Sequence, residues 1–197
     1  MKPFLILLTL TAVLVVACGG APTPQGTQGN PVKGSPDAPV TIEEYSDYEC
    51  PACAYFAVQV LPLLEEEYID TGKALLIFYD FQFHPQAPLA AHAAECAREQ
   101  DRFWEMHETL FAHQSEWSGN QSAPTLFIEY AQDLGLDTDA FEACMDSGRH
   151  MEEIEGDREK GTQAGVDATP YFFVNGEPVR GVNLELLVSL VEQGLTK

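Results

Sequence analysis

Positive charge is scarce in this sequence. Ten Lys and Arg face 31 Asp and Glu across 197 residues, a formal net charge of −21. So acidic a chain does not hold a nucleic-acid backbone, because phosphate contacts need clustered Lys and Arg; no nucleic-acid partner is expected. Cysteine is sparse too. Five cysteines are too few for a disulfide-dense mini-protein, and the odd count gives at least one of them a job other than intramolecular pairing. There is one Cys-x-x-Cys but no second, and no His-x-x-x-His, so the four ligands of a structural zinc are not in place and no metal or other cofactor is expected. No internal repeat is present. What the chain does have is 45% hydrophobic and 10% aromatic residues, enough for a core and against general disorder. Its length suits one domain, with or without an insertion.

The first segment reads as an address. Lys2 precedes an apolar run from Phe4 to Val16, too short to span a bilayer comfortably and suited to a signal-peptide core. Val15-Val16-Ala17-Cys18 resembles the lipobox of bacterial lipoproteins, in which the cysteine is acylated and becomes the mature N-terminus. Residues 1–17 are then a lipoprotein signal peptide and Cys18 the lipidation site; the alternative is a plain secretory signal with an incidental cysteine. Residues 18–38, rich in Gly, Pro, Thr, Gln, Asn and Ser, cannot bury a core and are expected to form a flexible tether.

From residue 39 the pattern becomes that of an α/β domain. Val40 to Tyr45 has strand character, and Val40, Ile42 and Glu44 share a face, which puts a carboxylate among apolar side chains. Cys50-Pro51-Ala52-Cys53 follows. A helical apolar run from Tyr55 to Leu64 comes next, with Pro62 expected to kink it and Gly72 to stop the chain's turn. Lys73 to Phe81 is a second strand, giving a βαβ unit with a parallel pair. Residues 87–160 read as an all-helical insertion between a first half at 39–86 and a second half at 161–197. In the second half, Tyr171 to Val174 is a strand, Asn175-Gly176 a hairpin turn, and Glu177 to Arg180 an edge strand carrying Pro178. Asn183 caps a last helix, with Leu184, Leu187, Val188 and Val191 inward and Gly194 at its end.

The chemistry is expected at the cysteine pair. A Cys-x-x-Cys that opens a helix directly after a strand is the redox arrangement. The positive helix N-terminus and its unpaired N–H groups favour thiolate at Cys50, lowering its pKa into the roughly 3.5–7.5 range of such cysteines. Pro51 suits the first helical position, where a missing N–H costs nothing. Cys53, one turn inward, is placed to resolve a mixed disulfide formed at Cys50.

Glu43-Glu44-Tyr45-Ser46-Asp47-Tyr48-Glu49-Cys50-Pro51-Ala52-Cys53 resembles the active-site strand of DsbA-type thiol:disulfide oxidoreductases. Ala94 to Gln100 with Phe103-Trp104 is similar to that family's insert, and Gly165 to Gly176 to its second active-site segment. The resemblance spans about residues 35–195. It implies a thioredoxin-like fold with a helical insertion. It implies that Pro170 is a cis-proline, that the Thr169-Pro170 loop packs on the cysteines and pairs with substrate backbone, and that Glu44 is a buried acid relaying the proton of Cys53. The sequence departs from the family at Ala52, where the strongest oxidases carry His; this leaves the oxidising power open.

Cys96 and Cys144 remain. A structural disulfide is expected, the alternative being two buried thiols. The implied activity is formation of disulfides in secreted proteins, outside the cytoplasm, on a membrane-tethered lipoprotein in the periplasm or at the cell surface. The implied partners are protein thiols and disulfides and a quinone-linked membrane protein that reoxidises the pair. Two alternatives stand: a reductase or isomerase using the same residues, and a binding or chaperone lipoprotein that no longer cycles. Glu65–Glu67 and the acids from Glu152 to Glu159 read as solvated helix faces, and His84, His107, His113 and His150 as having no catalytic grouping.

Overall fold

The computed structural model describes residues 29–196; the expected signal peptide, Cys18 and most of the tether lie outside these. Five strands form one mixed sheet: β1 (Val32–Lys33), β2 (Val40–Ser46), β3 (Ala74–Asp80), β4 (Tyr171–Val174) and β5 (Glu177–Arg180), in spatial order β1-β3-β2-β4-β5. β2 and β3 run parallel, and β4 lies antiparallel to β2, so Glu44 sits in the central strand between Phe78 and Phe172. The thioredoxin-like architecture with a helical insertion is what the resemblance implied, and its parallel β2–β3 pair is what the sequence pattern predicted.

Between β2 and β3 one continuous helical stretch runs from Pro51 to Ile69 in four pieces: α1 (Pro51–Tyr55), a π-turn segment at Phe56–Val60, α2 (Leu61–Leu64) and a second π segment at Glu65–Ile69. Pro62 falls just after the first π segment. Its ring can accept no tight preceding turn and it donates no N–H, so the wider turn next to it is the local answer to a helix-interior proline. Gly72 ends the stretch at φ +73°.

The helical insert comprises α3 (Ala87–Arg98), α4 (Phe103–Ala112), α5 (Gln114–Trp117), α6 (Ala123–Asp133), α7 (Thr138–Ser147) and α8 (Met151–Gln163). Its alanine-rich α3 is buried along Ala90, Ala91, Ala93, Ala94 and Ala97 and packs with Phe78, Met106, Leu110 and Trp117 in one core. The opposite face of the sheet packs Val40, Ile42 and Phe172 against Phe56, Val60, Leu61 and the final helix α9 (Leu184–Leu195) through Leu187 and Val191. Asn183 caps α9, its side chain accepting from the Leu186 N–H at 3.1 Å. None of the described helices is long and apolar enough to cross a membrane.

Four local expectations are corrected. The flexible tether expected over 18–38 does not extend that far: Val32–Lys33 pairs with Leu76 and Ile77, the Trp104 indole N–H donates to the Val32 carbonyl at 2.9 Å, and Lys33 pairs with Glu65 at 2.5 Å. That ion pair also removes Glu65 from the purely solvated face. Leu184 is 38% exposed rather than inward, because it opens α9 beyond the sheet. Gly194 is not a stop signal. It lies inside α9, where a Cβ would meet Val40 Cγ2 at 2.7 Å, so glycine is there to let the helix approach the sheet.

Candidate active site

Strand β2 delivers Asp47, Tyr48 and Glu49 to a turn closed by the Cys50 N–H on the Asp47 carbonyl at 3.0 Å. Cys50 caps α1 in extended conformation with Pro51 following at the helix start. Cys53 comes one turn on, fully buried, while Cys50 is half-buried. The pair is in the dithiol state. Across from it the Thr169–Pro170 bond is cis, and the Cys50 thiol donates to the Thr169 carbonyl at 3.4 Å.

The two thiols are electrostatically unlike. The Cys53 thiol donating to Cys50, against the cost of burial, with the Thr169 hydroxyl and the N–H groups of Cys53 and Ala52, brings the Cys50 pKa down to about 5. Burial and the negative charge on Cys50 push Cys53 well above the ordinary thiol range. At neutral pH the site therefore holds one thiolate and one thiol, with the proton on the inner sulfur.

In the central strand leading to the cysteines lies a carboxyl group in a dry place. Glu44 is fully buried, and neither carboxylate oxygen has a hydrogen-bond partner, nor does the Ser46 hydroxyl two residues on. Burial pushes the Glu44 pKa up to about 8. The nearby Ser46 hydroxyl, though not in hydrogen-bonding geometry, tempers that rise, and with the Asp47 N–H it tempers the rise at Cys53. Ser46 is thus the polar group common to the acid and the inner thiol.

The active segment is held by the helical insert. Glu49 turns its carboxylate onto the start of α3, accepting the N–H groups of Gln86 at 2.6 Å and Ala87 at 2.9 Å, and the Ser118 hydroxyl at 2.9 Å. Gln114 donates to the carbonyls of Tyr48 at 2.7 Å and Cys50 at 3.1 Å. The fully buried Asp47 carboxylate accepts the N–H groups of Glu49, Phe83 and His84 and the His84 ring at 3.0 Å. Tyr48 reaches His107 Nδ1 at 3.0 Å.

The structure sets the cis Thr169–Pro170 bond opposite Cys50 at the start of α1, with Pro51, Ala52 and Cys53 following in the helix, and buries Glu44 in the strand before them. Sequence reasoning missed Ser46, Asp47, Glu49 and Gln114, and His84 does belong to a group at this site. Acids flanking a cysteine pair were the available signal, but their partners lie more than thirty residues away. The acid-rich stretch is not wholly solvated either: Asp157 is half-buried, accepts from the Asp80 N–H at 3.3 Å, and has its pKa raised to about 6 by burial. Remote from the dithiol, Cys96 and Cys144 are joined in a disulfide with Cα atoms 5.7 Å apart. His92 lies against this bridge, its Nε2 at 3.1 Å from the Cys144 carbonyl.

Comparison with known proteins places the chain. A family model described as Thioredoxin matches residues 26–193. The chain belongs to the thioredoxin family, and within it to the DsbA-like thiol:disulfide oxidoreductases. Disulfide bond formation protein D of Bacillus subtilis is 30% identical over 157 residues, covering 78% of this chain and 71% of that protein. The crystal structure of oxidised BdbD from the same organism superposes with a TM-score of 0.77 at 27% identity, over 86% of this chain and 94% of that one. Wolbachia pipientis alpha-DsbA1 gives a TM-score of 0.77 at 28% identity, covering 85% and 91% of the two chains. A Na(+)/H(+) antiporter NhaA 3 of Salinispora tropica is 38% identical over 81% of this chain, which spans 24% of that protein's length.

Proposed function

We propose that this protein forms disulfides in client proteins outside the cytoplasm, with Cys50 and Cys53 as its redox centre. The observation that carries this reading is the asymmetry of the pair, a Cys50 with pKa about 5 over a buried Cys53 that keeps its proton. A stabilised Cys50 thiolate stabilises the reduced form, which makes the oxidised form a stronger oxidant.

The steps follow. A client thiolate attacks Cys50 of the oxidised pair; the client–Cys50 bond forms, the Cys50–Cys53 bond breaks, and the Cys53 thiolate takes up a proton, for which Glu44 is the nearby buried acid. A second client thiolate attacks the client sulfur of the mixed disulfide and expels Cys50 as a thiolate. The client loses two electrons and the protein gains them. Thr169 and the cis Pro170 loop stand where an extended client backbone would pair beside Cys50. Reoxidation by a quinone-linked membrane protein, and tethering through a lipid on Cys18, complete the reading; the lipobox-like Val15-Val16-Ala17-Cys18 supports the second.

Oxidation of a reduced test protein and equilibration with glutathione test the proposal together. Wild-type protein is expected to oxidise the client and to equilibrate well above thioredoxin-like potentials, while Cys50→Ala abolishes turnover. A potential near those of cytosolic reductants would sink the oxidase and favour a reductase. Turnover that persists in Cys50→Ala would sink both.

A further inference from the structure

The loop from Phe83 to Ala87 runs alongside the segment from Asp47 to Glu49. Asp47 Oδ2 takes the N–H groups of Phe83 at 2.5 Å and His84 at 3.1 Å, and Glu49 takes those of Gln86 and Ala87. Within this seam the His84 ring donates from Nδ1 to Asp47 Oδ2 at 3.0 Å, while the Asp47 carbonyl accepts the Cys50 N–H at 3.0 Å. A single residue therefore links the imidazole to the active cysteine. The His84 side chain is 47% exposed and that of Asp47 is 0% exposed: the ring lies at the rim of the site, and its anchor lies inside.

The sequence between the cysteines offers no side-chain charge, since Ala52 carries none. Glu49, next to Cys50, has its carboxylate turned onto α3 and Ser118. Asp47 lies against the His84 ring, and its charge, with those of Glu49 and Cys50 nearby, favours the protonated imidazole. The hydrogen bond to Asp47 contributes most to this, and desolvation opposes it without reversing the rise.

We infer that His84, held by Asp47, is a positioning residue that supplies from a neighbouring loop the cationic charge absent from the Cys50–Cys53 dipeptide, stabilising the Cys50 thiolate and hence the reduced protein. This rests on the oxidoreductase reading above. Attraction between two charges is reciprocal, so the dithiol state holds the proton on His84 as His84 holds the thiolate at Cys50.

The test variant is His84→Asn, whose amide keeps a donor for Asp47 but no charge. Thiolate absorbance is followed against pH. The Cys50 midpoint should rise by about half to one unit in H84N, and the glutathione equilibrium should shift about three- to tenfold toward the oxidised protein. His84→Lys should recover much of both. In the wild type, the His84 midpoint measured by NMR should fall when Cys50–Cys53 is oxidised, because the thiolate is then gone. A purely structural His84 would leave that midpoint unmoved between redox states. An H84N midpoint within about 0.2 unit of wild type, or a redox-insensitive His84, overturns the inference. Neither result touches the oxidoreductase reading, which fails only if Cys50→Ala still turns over.

Discussion

At the scale of single residues the site separates charge by depth. Cys50 is placed to be ionised, Cys53 and Glu44 to hold protons. Glu44 should ionise only near pH 8. Glu44→Gln keeps the volume but neither ionises nor delivers a proton. The variant is expected to slow formation of the client mixed disulfide, the step in which Cys53 leaves and takes up a proton, about a hundredfold, the low end of what positioned acid–base groups contribute, and to erase any inflection near pH 8 in that step. Rapid-quench disulfide exchange from pH 6 to 9 measures both; an unchanged pH profile would show that Glu44 is only a buried spectator. The cysteines, Pro170 and Glu44 were readable from the sequence because each is marked locally, by a helix start, a Thr-Pro-x-Phe-Phe context or strand parity. Ser46, Asp47 and His84 were not, since their significance comes from which distant groups they meet.

Among the elements, the insert and the redox segment are joined at the start of α3. Gln86 offers no side-chain cap there, and the cap comes instead from Glu49, 37 and 38 residues earlier in the chain. Glu49→Ala should cost about 1–2 kcal/mol by leaving helix-start N–H groups unpaired. Urea unfolding would register the loss, and hydrogen exchange should report it first at Gln86 and Ala87. The Cys96–Cys144 bridge closes a span of 48 residues between α3 and α7. Replacing both by Ala should lower stability by about 4 kcal/mol on the chain-entropy account while leaving the Cys50 thiolate titration in place. Loss of that titration would tie the bridge to the redox site. The order of strands and helices was largely legible, because periodicity, the Asn-Gly turn and the Asn183 cap are local signals. Strand β1 was not: two residues in a polar stretch gain their structure only from β3, Trp104 and Glu65.

For the whole molecule, the acidity has a thermodynamic consequence. Glu44 and Asp80 are buried, and desolvation raises both to about 8. Their folded pKa values exceed the unfolded ones, so the stability they lend is complete below about pH 4 and is lost as pH rises through 8. His107 works the other way. Fully buried, it is pushed down to about 3, so its neutral form lends stability above its unfolded pKa that is lost as pH falls from about 6.5 toward 3. Two acids gain for each unit of pH against one histidine that loses, so melting temperature should climb as pH falls from about 8 to about 4.5 and decline under stronger acid. Calorimetry across pH 3–9 decides this; a flat profile between 6 and 9 would mean that Glu44 and Asp80 are ionised in the native state.

Strands β1 and β5 bound the sheet, one only two residues long and carrying Lys33, the other interrupted by Pro178. Both are poor templates for another backbone. An oxidant of unfolded chains meets exposed, strand-prone polypeptide at every turnover, and an open edge would invite such chains to add to the sheet and stay. On the proposed disulfide-forming role, such blunted borders among the described residues give a client chain little to add to, so it is free to depart once its own disulfide has closed.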